Sequence, residues 1–214
     1  MKLYGYFRSS AAYRVRIALQ LKKLDVAQVS LHLRKGEQRG PEFLKRNPQG
    51  LVPALELDDG TLLTQSMAIV EYLDETFPTP PLLPADAKGR ARVRALAQAV
   101  SCDIHPIDNL RVLNYLTKDL GRTDAEMQGW YNHWIASGFE ALEAMLAGDP
   151  ATGKFCHGDQ PGLADICLVP QMLNAGRYQL DLAPYPTIKR INAACVALPA
   201  FAAAHPSKQP DFEP

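Results

Sequence analysis

Three short segments in the first third of the chain carry residue types suited to holding an anionic or peptide-like small molecule. Arg8-Ser9-Ser10 stands between a strand pattern and a helix pattern. A serine there admits two readings. Its hydroxyl caps the helix, or the hydroxyl and the helix N-terminus together stabilise a bound anion such as a thiolate. Asn47-Pro48-Gln49-Gly50-Leu51-Val52-Pro53 leads into a strand pattern. Pro53 cannot donate to a sheet ladder, so it belongs at a strand start or edge. A cis Val52–Pro53 bond would turn the Val52 backbone outward, toward an extended peptide-like ligand; otherwise the segment is a plain loop. Gln65-Ser66 opens a long helix pattern. Ser66 is a natural N-cap, and the first backbone donors of that helix suit a carboxylate. Taken by itself, that pair reads as a cap.

The elements that position these segments alternate in type. Residues 2–6 read as a strand, and residues 11–21 as a helix with Ala11, Val15, Ala18 and Leu19 on one stripe. Val29, Leu31 and Leu33 alternate with polar neighbours, which predicts a strand over 26–33. Residues 41–46 are a short helix or an irregular loop. Asp58-Asp59-Gly60 is a hairpin turn between strands 53–57 and 61–64, and 66–76 is a second helix. The order β-α-β, hairpin, helix predicts an α/β unit with a mixed sheet. Pro78, Pro80, Pro81 and Pro84 then mark a linker. Beyond it only helical periodicity remains, over 89–116 with a kink at Pro106, then over 125–146, 163–175 and 188–198. Residues 205–214 read as a poorly ordered tail.

Bulk properties narrow the function. With 23 basic and 23 acidic residues the formal net charge is zero, so no global field draws in nucleic acid or a membrane surface. An anionic substrate must therefore be held by local positive charge. The apolar runs are short for a membrane span, and the first residues lack the apolar stretch of a signal peptide. Cys102, Cys156, Cys167 and Cys195 are scattered, which suits a reducing compartment and gives no zinc pattern. We expect a cytoplasmic protein with no metal, no nucleic-acid partner and no membrane association.

The run Tyr6-Phe7-Arg8-Ser9-Ser10-Ala11-Ala12-Tyr13-Arg14-Val15-Arg16-Ile17-Ala18-Leu19 resembles the signature of zeta-class glutathione transferases. That group includes the maleylacetoacetate and maleylpyruvate isomerases. Asn47-Pro48, Val52-Pro53, Gln65-Ser66 and Leu163-Ala164-Asp165 fall where the family has them, so the resemblance spans nearly the whole chain. It implies a thioredoxin-like glutathione-binding domain with a mixed four-stranded sheet over 1–78, a linker over 79–88 and an all-helical substrate-binding domain over 89–214. It implies glutathione as cofactor, with the Ser9-Ser10 pair as the catalytic residues and Ser9 hydrogen-bonding the glutathione sulfur. Val52, at its bond to Pro53, pairs with the cysteinyl part. Gln65 and Ser66 hold the γ-glutamyl end, Gln38 the glycyl end, and His105 and Asn109 are further polar groups facing glutathione. It also implies a homodimer.

The sequence departs from the family pattern at two places. Ala11 stands where relatives often have Cys, which removes a second thiol but not the one glutathione supplies. Gly162 stands where many relatives have Ser or Thr; Asp165 reaches back to its amide as half a capping box, a structural role. The implied substrate, a small dicarboxylic keto acid, needs cations. Arg8, Arg177 and Arg111 are the candidates, because a planar guanidinium binds carboxylates bidentately. Arg14 and Arg16 read as structural, in salt bridges across the subunit contact. The function so implied is glutathione-dependent cis–trans isomerisation of maleylpyruvate or maleylacetoacetate to the fumaryl isomer, in aromatic compound catabolism. The alternatives are a general glutathione-conjugating transferase and a non-catalytic interaction module of the same fold.

Overall fold

The alternating pattern of the first third folds around one sheet. The computed structural model describes residues 1–213 and begins with β1 (Lys2–Gly5), α1 (Ser10–Leu21) and β2 (Ala27–Ser30). Two 3-10 turns (Leu33–Lys35 and Glu37–Arg39) and α2 (Pro41–Arg46) follow, then β3 (Ala54–Glu56), β4 (Leu62–Thr64) and α3 (Ser66–Thr76). The strand order is β2-β1-β3-β4, parallel between β1 and β2 and antiparallel elsewhere. The strand expected over 26–33 ends at Ser30. His32 Nδ1 accepts the Lys35 amide at 3.3 Å and draws the chain into the first 3-10 turn.

Alternation along β1 and β3 sorts the core between the two sheet faces. Tyr4 and Ala54 face α2 and pack with Phe43. Leu3 and Leu55 point the other way, where α1 and α3 supply Val15, Leu19, Ile69 and Leu73, all 2 % exposed or less. Each such side chain contributes about 1.5–3 kcal/mol by leaving water.

The second unit runs from Leu82 to Val196 and is helical. Its elements are α4 (Ala87–Gln98), α5 (Leu110–Asn114), α6 (Asp124–Ala147), α7 (Leu163–Arg177) and α8 (Pro186–Val196). α7 is the most buried of them, with no exposed residue from Leu163 to Ala175. α4 widens into a π-helical turn over Ala99–Ile104 and stops. Pro106 therefore breaks the expected 89–116 helix rather than kinking it. The turn that follows is pinned by Trp130, whose Nε1 donates to the Ile107 carbonyl at 3.0 Å, and Asn109 then caps α5. Gly138 on α6 makes room for the π turn, since a Cβ there would lie 2.3 Å from Ile104 Cδ1.

Two expectations about boundaries change. The Pro-rich segment is tied down: Lys22 Nζ, on the first unit, donates to Asp74 Oδ1 at 2.6 Å and to the Pro80 carbonyl, and the chain divides after Pro81. From Ala197 onward the chain returns to the first unit instead of continuing the helical one. There α9 (Pro199–Ala204) packs on α1, with the Tyr13 hydroxyl donating to the Phe201 carbonyl at 3.4 Å. The expected tail is folded as well. A 3-10 turn covers Pro206–Lys208, Gln209 is buried, and Asp211 is hydrogen-bonded. Pro214 lies outside the described residues.

Candidate active site

Sheet register brings the segments singled out in the sequence to one end of the first unit. Gly5 pairs with Ser30, Tyr4 with Ala54, and Ala54 with Thr64. The β1–α1 loop, the segment after β2, the entry to β3 and the exit of β4 therefore all lie at that end. They carry Arg8 and Ser9, Gln38, Val52-Pro53, and Gln65-Ser66.

Ser9 is the N-cap of α1, and its Oγ accepts the Ala12 amide at 3.1 Å. That bond uses an oxygen lone pair and leaves the hydroxyl proton to donate elsewhere. Ser9 is partly exposed, whereas Ser10 is buried in the first turn of α1. A donor hydroxyl beside the positive end of a helix lowers the pKa of a thiol placed there. Arg8 is partly exposed and makes no hydrogen bond or ion pair among the described residues.

The Val52–Pro53 bond is cis. Val52 precedes Ala54, the first residue of β3, so it lies outside the regular ladder. Asn47 shapes this approach: its Nδ2 donates to the Leu51 carbonyl at 2.8 Å, and its Oδ1 accepts the Gln49 amide at 3.2 Å. Gly50 has φ +58, and a Cβ there would lie 3.1 Å from the Gln38 carbonyl and 2.9 Å from Arg39 Cδ, so glycine brings the two loops together. Gln38 Oε1 is buried with no hydrogen-bond partner among the described residues. The amide N–H of a bound peptide would satisfy it.

Gln65 has φ +68, rare for a residue with a side chain, and its Nε2 donates to Gln49 Oε1 at 2.9 Å. Such a conformation costs about 1–3 kcal/mol and tends to persist where function requires it. Ser66 is the first residue of α3, where backbone donors suit a carboxylate. Arg14 Nη1 donates to Ser66 Oγ at 3.3 Å. A hydroxyl at one helix N-terminus, a backbone segment outside the ladder, a buried acceptor without a partner among the described residues and a second helix N-terminus thus stand at one end of the sheet.

Arg14 and Arg16 are 2 % and 4 % exposed, buried inside the first unit rather than at a surface. Arg16 donates to the carbonyls of Tyr6, Phe7 and Ala204 at 3.4, 3.1 and 3.1 Å, in place of the salt bridge expected for it. Burial pushes the Arg16 guanidinium down to about 10, against the opposing field of Asp211.

The remaining candidates belong to the helical unit. His105 follows the π turn and donates its amide to the Val100 carbonyl at 2.9 Å. Asn109 Oδ1 accepts the Arg111 amide at 3.2 Å, so it serves as a helix cap whatever else it does. The Arg111 side chain is exposed, and Arg177 ends α7 with its Nη1 3.4 Å from Asn174 Oδ1. Sequence reasoning missed Asp108, which is 5 % exposed with neither carboxyl oxygen hydrogen-bonded among the described residues. Burial pushes its carboxyl up to about 8. Asp165 accepts the Gly162 amide and the Cys156 amide, both at 2.9 Å, and burial raises its pKa. The glycine at 162 has a steric reason, since a Cβ there would sit 2.8 Å from the Leu82 carbonyl oxygen. Among the described residues no group of His, Cys, Asp and Glu has the arrangement of a metal site, and no helix is long and apolar enough to cross a membrane.

Comparison with known proteins places this geometry among relatives. The family profile for the glutathione S-transferase N-terminal domain matches residues 1–75. A maleylpyruvate isomerase of Ralstonia sp is 52 % identical over 211 residues, covering 99 % of both chains. A holo structure of a maleylpyruvate isomerase, described as a bacterial zeta-class glutathione S-transferase, superposes with TM-score 0.97 at 51 % identity over all of both chains. A maleylacetoacetate isomerase of Methylobacterium extorquens AM1, with bound malonate and glutathione, also superposes with TM-score 0.97, at 45 % identity over all of both chains.

Proposed function

From the premise that this chain belongs to the zeta class of the glutathione transferases, we propose that it is a glutathione-dependent cis–trans isomerase converting a maleyl keto acid to its fumaryl isomer. When bound, glutathione supplies a sulfur nucleophile whose reversible addition turns the cis double bond into a rotatable single bond, and it is returned unchanged.

The chain's own residues do the rest. Ser9 donates its hydroxyl proton to the sulfur while the N-terminus of α1 lowers the thiol's pKa, and Ser10 stabilises that first turn. The Val52 backbone, beside Pro53, pairs with the cysteinyl portion. Gln65 and Ser66 hold the γ-glutamyl carboxylate at the start of α3, and Gln38 meets the glycyl end. His105 and Asn109 add polar contacts from the helical unit. Arg8, Arg177 and Arg111 bind the substrate carboxylates, and the ketone conjugated with the double bond accepts electron density during addition. Holding nucleophile and double bond in register removes much of the entropic barrier.

The observation that carries this reading is the convergence of Ser9, Val52 and Ser66 at one sheet end, in a chain about half identical over its full length to a maleylpyruvate isomerase. The malonate and glutathione bound in the structure of a relative support a dicarboxylate acceptor. We further propose a cytoplasmic homodimer. A panel of electrophiles tests the acceptor assignment. Turnover of maleyl keto acids without glutathione loss supports it. Conjugation of uncharged electrophiles alone, with glutathione consumed, would transfer the assignment to a general transferase.

A further inference from the structure

The β1–α1 loop that carries Arg8 and Ser9 is gripped from outside by the far end of the chain. The Phe7 amide donates to Asp211 Oδ2 at 2.9 Å. The Phe7 carbonyl accepts from Arg16 Nη2 at 3.1 Å, and Arg16 Nε reaches the Ala204 carbonyl on α9. Both backbone polar groups of Phe7, one in each of the peptide units that flank its Cα, are thus fixed by partners anchored in or bonded to the C-terminal segment. Asp211 is itself oriented by the Ser30 hydroxyl, which donates to the same Oδ2 at 2.7 Å from the end of β2. The neighbours of Asp211 hold the strap down: the rings of Phe212 and Phe7 meet edge to face at 5.5 Å, and Glu213 lies 3.1 Å from His32 Nε2.

We propose that Asp211 is a positioning residue for the thiol-activating site: through the Phe7 peptide it fixes where the Ser9 hydroxyl stands. The inference rests on the assignment of Ser9 to the glutathione sulfur. The physical argument is one of precision. Ser9 is two residues from Phe7, and its own amide closes the turn onto the Tyr6 carbonyl at 3.0 Å. A displaced Phe7 peptide therefore moves the start of α1, and catalytic geometry is sensitive to shifts well under an ångström. The strap does not lie among the residues assigned to glutathione itself, so it bears on the sulfur and not on ligand capture.

The test compares the intact protein with Asp211→Ala, Asp211→Asn, Ser9→Ala and the double variant. The readouts are isomerisation kinetics, glutathione affinity, and the ultraviolet absorbance of the bound thiolate across pH. Asp211→Ala should lower kcat about tenfold and raise the pKa of the bound thiol, with glutathione affinity unchanged at pH values where the bound thiol stays protonated. Asp211→Asn keeps the acceptor oxygen and should restore both. In the Ser9→Ala background, Asp211→Ala should add nothing. If Asp211→Ala does not fold, Ser30→Ala removes one of the two contacts and should shift the thiol pKa in the same direction. An unshifted thiol in folded Asp211→Ala, an undiminished effect without Ser9, or an Asn variant as impaired as Ala each overturns the inference. A Ser9→Ala variant with an unshifted thiol would overturn the Ser9 assignment, and this inference with it.

Discussion

The buried Arg14 guanidinium on α1 donates through Nη1 to Ser66 Oγ, 3.3 Å away at the first residue of α3. This bond occupies a lone pair of the hydroxyl and leaves its proton to donate elsewhere. Arg14 thereby connects α1, which Ser9 caps, with the first residue of α3, the helix start proposed for the γ-glutamyl carboxylate. We expect Arg14→Met to weaken glutathione binding and to cost about 1.5–3 kcal/mol of stability, as for a hydrogen bond to a charged group. Titration calorimetry with glutathione and urea denaturation check the two effects. Arg14→Lys should recover only part of either, because a point charge lacks the planar fork.

The two adjacent serines should separate by role. Ser9→Ala removes a donor to the sulfur and should cost about 2–4 kcal/mol in the chemical step, by analogy with donors to other developing anions. Ser10→Ala, at a buried position, should show up mainly in stability. Isomerisation kinetics beside thermal unfolding distinguish them. A larger rate loss in a folded Ser10→Ala protein would reverse the assignment.

Arg8 and Arg177 should act on the substrate and not on glutathione. Arg8→Ala or Arg177→Ala should lower kcat/KM for a maleyl keto acid roughly ten- to a hundredfold, the loss of one charge-assisted contact. Glutathione affinity should change little. Normal isomerisation in both variants would remove the diacid site. A matched collapse of glutathione binding would place these arginines in the glutathione site instead.

Asp108 gives a pH signature. Its carboxyl is held up to about 8 in the folded chain by burial, against about 3.9 when unfolded. The folded state thus keeps its proton where the unfolded state has lost it. Its contribution is fully present below about pH 4 and is lost as pH rises through about 8. We expect Asp108→Asn, neutral at every pH, to match the parent near pH 4 and to exceed it at neutral pH by on the order of 2 kcal/mol, allowing for solvent screening. Denaturant melts across that range measure the difference. A constant offset would exclude titration of Asp108 as its cause.

Local signals revealed the elements of the first unit and the three segments that the sheet register brings to one end. Ser9 precedes a helical period and Ser66 opens one, after the cap position Gln65, and the Asp58-Asp59-Gly60 turn marks the hairpin that Pro53 leads into. Once the strands pair, those segments have to meet. Asp211 was not legible, because its bond to Phe7 spans 204 residues and nothing in Gln209-Pro210-Asp211-Phe212 marks a partner. Its composition resembles a frayed end, and only the surface left by α9, β2 and the β1–α1 loop makes it a strap. Asp108 was hidden for a related reason. A charged residue beside Pro106 reads as solvated, and its burial follows from the helix break that the periodicity suggested only as a kink. Arg16 looked like a salt-bridge residue because composition shows charge and not the three backbone carbonyls that surround it.

Isomerisation of maleylpyruvate and of maleylacetoacetate should be followed with glutathione absent and with glutathione far below the substrate concentration. Without it, we expect no turnover above the uncatalysed rate. With it, the substrate should pass to the fumaryl product over many turnovers per glutathione, with the glutathione recovered intact. Turnover without glutathione, or product formation that stops when glutathione is exhausted, would contradict the assignment of this chain as an isomerase that borrows a thiol and returns it.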